Sequence, residues 1–210
     1  MTVLSTLIIK PVNGRQADAV AQIKQYAQVA LDSGANNAVA TRVLTGPNVG
    51  TLQMRMFTDD LEHLGEVAGR MYSSDFYAAS TSDSSPSGEV VNIIRSSLAY
   101  RAKPDGSAGA DTTVGNVVAL QVHPGRGEEL ANRLIRLADA WAEVGASQAH
   151  VTSAISGTAG PHMFISSYFT DYAALNTAWN GLQDTPIWQS IRTSTSPAGT
   201  IIGNFHMGRL

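Results

Sequence analysis

Imidazole is the side chain whose charge changes near neutral pH, and it is also the commonest metal ligand, so the five histidines are where chemistry would first be sought. His63, His123, His150, His162 and His206 show no metal-ligand spacing. His206 follows Asn204 by two residues, which in an extended strand sends both side chains to one face. His123 sits at the end of another apolar stretch, just before Pro124. These two histidines are the candidate general bases, with Asn204 placed to orient a substrate or an imidazole. The plainer reading of each is a strand cap or a core hydrogen bond. His63 lies three residues after Asp60 on a helix surface, and His150 and His162 carry no expected role. Asn92 and Arg95 form a second polar pair, suited to a carboxylate or a phenolate. Trp141, Tyr168, Trp179 and Trp188 make the second half of the chain the more aromatic one, as a planar apolar ligand would require. Aromatic residues at helical spacing are also ordinary core.

Other chemistry is limited by what is missing. The 210 residues contain no cysteine, which removes thiolate nucleophiles, disulfides and cysteine-ligated metals together. There is no G-x-G-x-x-G, P-loop, H-E-x-x-H or G-x-S-x-G motif, the acidic residues gather at helix starts, and neither a cofactor nor a metal is expected. The net charge of -3 comes without a basic cluster, which argues against a nucleic-acid partner. No stretch approaches the roughly 20 apolar residues of a membrane span, so a soluble cytoplasmic protein with no membrane partner is expected.

Stepping along the chain at a spacing of 111 residues brings like onto like. The strand-Pro-Val-Asn-Gly-Arg segment ending at Arg15 falls on the strand-His-Pro-Gly-Arg segment ending at Arg126. Gly34-Ala35 falls on Gly145-Ala146, Gly46 on Gly157, Pro86 on Pro197, Gly88 on Gly199, and Val90-Val91 on Ile201-Ile202. Phe57-Thr58-Asp59 matches Phe169-Thr170-Asp171 one residue out of step, implying an insertion before it. Co-linear matches of this kind define a repeat. The expected division is a first repeat over 1–101, a Gly/Pro/Ser-rich linker over 102–113 and a second repeat over 114–210.

Each repeat reads as strand, helix, two strands split by a Gly turn, helix and strand. The first strands, Val3 to Lys10 and Val114 to His123, are rich in aliphatic and β-branched residues. The helices after them carry Ala19, Val20, Ile23, Ala27, Ala30 and Leu31, or Leu130, Leu134, Leu137, Ala138 and Trp141, at helical spacing. Second helices open at an acidic signal, Thr58-Asp59-Asp60 or Thr170-Asp171, with Leu61, Leu64 and Ala68 or Tyr172, Leu175 and Trp179 as the buried stripe. A β-α-β-β-α-β unit covers only one face of its sheet with helices, so the expected architecture is α+β: two ferredoxin-like repeats whose antiparallel sheets bury their bare, apolar faces against each other as an α+β barrel.

This order of elements, the strand-Pro-Gly-Arg-helix opening and the aromatic Met71-Tyr72-Ser73-Ser74-Asp75-Phe76-Tyr77 region together resemble the dimeric α+β barrel superfamily, which includes antibiotic-biosynthesis monooxygenases, stress-responsive barrel proteins, cyclases and chlorite dismutases. The resemblance spans the whole chain. It implies a ligand cavity between each sheet and its helices, and aromatic or polyketide-like substrates. The function expected is a cofactor-independent monooxygenase or cyclase in which His206 or His123 accepts a proton. Asn204, Trp141, Tyr168, Trp179, Trp188, Asn92 and Arg95 would then contact the substrate. The alternatives are a small-ligand-binding or assembly module of the same fold, as a homo-oligomer, and a haem-dependent enzyme.

Overall fold

In the computed structural model, the described residues are 2–81, 90–101, 111–157 and 161–210, without the side chains of residues 81, 92–98 and 101. The first repeat comprises β1 (Val3–Pro11), α1 (Gln16–Asp32), β2 (Asn37–Val43), β3 (Leu52–Thr58), α2 (Leu61–Tyr72), α3 (Asp75–Thr81) and β4 (Val91–Arg101). The second comprises β5 (Val114–Val122), α4 (Gly127–Glu143), β6 (Gln148–Ser156), β7 (His162–Phe169), α5 (Tyr172–Gln183), α6 (Pro186–Arg192) and β8 (Gly199–Arg209). The short helices α3 and α6 are additions to the expected element order. Helix α6 follows from local rules: Thr185 caps it by accepting from the Trp188 N–H, and Pro186 occupies its first turn.

All eight strands form one closed antiparallel barrel in the order β1-β3-β2-β8-β5-β7-β6-β4. Within each repeat the order is β4-β1-β3-β2 or β8-β5-β7-β6, and the repeats are joined by short ladders, Thr41–Val43 with Met207–Arg209 and Leu98–Arg101 with Thr152–Ser156. Closure satisfies strand edges that two separate sheets would leave open. Two apolar cores lie outside the barrel wall, under the helices. One packs Ile23, Ala27, Leu52, Met54 and Val67, and the other packs Leu134, Trp141, Val151, Ile165 and Leu182.

The barrel interior departs from the apolar face expected of each sheet. Strand alternation turns Thr41, Gln53, Arg55, His150, Thr152 and Ser166 inward, because Ala40, Met54, Met56, Val151 and Ile165 beside them face the helices. All six inward residues are buried. The interior is therefore a mixed polar layer.

The ladders also correct the repeat register. Val3 pairs with Thr58 and Val114 with Phe169, and Asp60 and Asp171 cap equivalent helices, so the spacing stays at 111 through β3 and β7 and needs no insertion there. The last strands differ. Pro11 pairs with Val91 and Val122 with Gly199, and Ile8 with Arg95 and Ala119 with Gly203, which puts β4 and β8 at a spacing of 108. The first repeat has three more residues between α3 and its last strand. Gly88 and Gly199, matched by residue type, are thus not ladder equivalents, and the counterpart of His206 is Leu98 rather than Arg95. Identity of loop glycines is a weaker guide to register than a strand's hydrogen bonds.

The two capping aspartates offer a test of equivalence. Asp60 accepts from the His63 N–H and Asp171 from the Ala174 N–H, each at 2.8 Å. Replacing either by alanine should lower stability in urea unfolding by about 1 kcal/mol, with similar values for the two.

Candidate functional site

The second repeat carries a solvent-open cleft of about 310 Å³ between its sheet and α5, lined by Asn116, Tyr172, Leu175, Asn176, Trp179, Asn204 and His206. Asn116 on β5 and His206 on β8 are direct ladder partners, so their side chains leave the wall side by side. Asn204 follows on the same face. From the other side, Tyr172, Leu175, Asn176 and Trp179 share one face of α5 by the i, i+3, i+4, i+7 rule. The loop after β2 braces the strand at its edge: the backbone N–H of His206 donates to Thr45 Oγ1 at 2.9 Å, and its carbonyl accepts from the Leu44 N–H at 2.8 Å. Gly46 makes that approach feasible, since it has a φ of 88° and any Cβ there would lie 2.8 Å from the Asn204 carbonyl oxygen.

The imidazole of His206 is half-buried, with the Tyr172 ring 5.7 Å away. Burial disfavours its charged form and holds its pKa below the ordinary 6.5. Around it stand three carboxamides, a phenol and an indole, and none of the other six lining residues carries a charge. The site can therefore accept a proton at His206 and donate hydrogen bonds to a developing oxyanion from Asn116, Asn176 or Asn204.

Of the residues singled out in the sequence, the fold brings His206, Asn204 and Trp179 to this cavity. His123 stands elsewhere. Its strand does neighbour β8, but it lies seven residues along the chain from Asn116, roughly 20 Å from His206 at strand spacing, and its Nε2 pairs with Thr200 Oγ1 at 2.8 Å. Trp141 is core, 3% exposed and edge-on to Phe169. Trp188 packs half-buried against Trp179, which itself contacts Trp141. Tyr168 is inside the barrel, where its hydroxyl accepts from Arg55. The side chains of Asn92 and Arg95 lie outside the described residues.

Asn116, Asn176 and Tyr172 line the cavity although sequence reasoning does not single them out as site residues. Asn116 leaves one signal, an amide on an otherwise aliphatic strand where asparagine is disfavoured. Its pairing with His206 depends on a register between strands whose partners are 90 residues apart, which no local pattern reveals.

A haem would need an iron ligand and cations for its propionates. Among the described residues the cavity is lined by one imidazole and by no arginine or lysine, so this lining does not fit that group. Among the described residues, no three His, Asp or Glu side chains converge as a metal site would require. No helix among them is long and apolar enough to cross a membrane.

No protein-family model and no curated protein matches this sequence. Solved structures do. A proposed monooxygenase from Fusobacterium nucleatum superposes at a TM-score of 0.66 with 11% identity, covering 100% of this chain and 92% of its own. An anthrone oxidase-like protein gives 0.50 and 12%, covering 99% and 93%. A haem-binding protein from Thermus thermophilus gives 0.56 and 9%, covering 100% and 91%. At such identities the likeness is one of fold: the chain has the dimeric α+β barrel fold, with both ferredoxin-like units in one polypeptide.

The shift at His206 has a measurable sign. Its folded pKa lies below the unfolded value, so the unfolded state takes up the proton first as pH falls, and the stability it contributes is present above about pH 6.5 and lost below. In an NMR titration its ring should have a midpoint under 6.5. Tyr172→Ala, which removes the aromatic cover, should move that midpoint back toward 6.5.

Proposed function

We propose that the chain is a cofactor-independent enzyme that removes a proton from an electroneutral phenolic or ketonic aromatic compound in the cavity under α5. The observation that carries this reading is a single imidazole, kept neutral by burial, among three carboxamides and an aromatic wall. A neutral imidazole near pH 7 is a competent base. The absence of an arginine or lysine in the lining disfavours carboxylate substrates, and two ring faces, Tyr172 and Trp179, suit a flat one. Fold neighbours that include a proposed monooxygenase and an anthrone oxidase-like protein are consistent with such a substrate.

In this reading His206 takes the proton from a carbon or hydroxyl made acidic by a neighbouring ring or carbonyl, and the carboxamides hold the resulting oxyanion. The carbanion then attacks dioxygen or an internal carbonyl. In the oxygenation of a methylene to a ketone, one oxygen atom stays in the product and the other leaves as water with both hydrogens.

The experiment is turnover of an anthrone-type phenolic substrate in air, followed by product formation. His206→Ala should lower kcat by about 10²- to 10⁴-fold, and His123→Ala should leave it within about a factor of two. The wild-type rate should fall on acidification below about pH 6.5, as His206 becomes protonated. Undiminished turnover in His206→Ala sinks the assignment, and saturable thermal stabilisation by the compound without product would favour a binding module instead.

A further inference from the structure

Among the described residues, the barrel interior contains a cation without a counter-ion. Arg55 on β3 is 8% exposed, and its one described hydrogen bond runs from Nη1 to the Tyr168 hydroxyl at 2.6 Å. Its Nε is buried and has no partner among those residues. Tyr168 is on β7, four places from β3 in a ring of eight, so this bond crosses the barrel from one repeat to the other. A phenol hydroxyl neutralises nothing. No strand carries an aspartate or a glutamate; among the described residues the acidic side chains lie on helices, turns and connections. The strands therefore offer no carboxylate with which to pair Arg55, although a buried guanidinium is retained at large cost unless an anion accompanies it.

The surroundings suit a small visitor. Gln53, Thr152 and Ser166 are further buried polar residues on inward-facing positions of β3, β6 and β7. A space of about 20 Å³, enough for one water-sized occupant, is lined by Val39, Thr41, Thr112, Tyr168, Met207 and Arg209; Arg55 does not line it, and adjoins it through its ladder partner Val39 and its bond to Tyr168. Gly115 helps to keep it open, because a Cβ there would stand 3.2 Å from the Tyr168 ring and 3.3 Å from Met207. Nothing larger than a simple ion has room in that space.

We propose that the barrel interior binds one halide-sized monovalent anion against the guanidinium edge of Arg55 that Tyr168 leaves free. The site belongs to the fused barrel rather than to either repeat, since Arg55 comes from the first and Tyr168 from the second. It is separate from the cavity under α5, which faces the opposite side of the wall, and it is independent of the function proposed for that cavity.

Thermal unfolding in sodium chloride against sodium gluconate at equal ionic strength tests it, gluconate being too large to enter. The melting temperature of the wild type should rise saturably with chloride, by roughly 5–10 °C at a hundredfold excess over Kd. Arg55→Met should abolish that dependence. An equal rise in the variant, or no saturable rise in the wild type, overturns the proposal. Should the variant not fold, anomalous diffraction from wild-type crystals in sodium bromide decides: a bromide within hydrogen-bonding distance of the Arg55 guanidinium is expected, and its absence there refutes the site.

Discussion

A four-stranded antiparallel sheet with helices on one side leaves two things exposed to water, a bare face and two edges of unpaired backbone groups. In this chain both are resolved by the hydrogen-bonded ladders between β2 and β8 and between β4 and β6. Each ladder is only a few residues long. Together they convert two sheets into a ring, and the position of every functional side chain on either side of the wall follows from that ring.

Closure sorts the strand residues into two environments by simple alternation. On the outer side, facing the helices, the wall is largely aliphatic and builds two cores. Where α5 stands away from β5 and β8, that surface becomes polar through Asn116, Asn204 and His206, and a cavity replaces packing. On the inner side, alternation gathers Gln53, Arg55, His150 and Tyr168 from both repeats into one volume. Face-to-face packing of two separate sheets favours apolar contact layers. A closed wall, which satisfies its own backbone, can tolerate a polar filling.

The repeats are alike in frame and unlike in chemistry. The same bulge interrupts the last-strand ladder in both, between Ile8 and Ile9 and between Ala119 and Leu120. The place of Asn116 is taken by Ser5 in the first repeat, that of His206 by Leu98, and that of Trp179 by Ala68. The first repeat thus lacks the imidazole, an amide and the indole. Duplication supplied the barrel, and divergence left its candidate base in one half.

How much of this was legible in advance follows from the range over which each feature is decided. The α+β class, the duplicated element order and an acidic start to each second helix were visible in the sequence, because alternation, helical periodicity and end-capping act over a few residues, whereas the choice of Asp60 over Asp59 as the cap came with the structure. Placing Asn204 and His206 on one strand face required only a period of two. The partnership of His206 with Asn116, the removal of His123 to a distant strand end and the meeting of Arg55 with Tyr168 were decided by tertiary structure alone. Each depends on which strand lies beside or across from which, and in what register, and those choices are made by barrel closure and ladder hydrogen bonds between residues far apart in the chain.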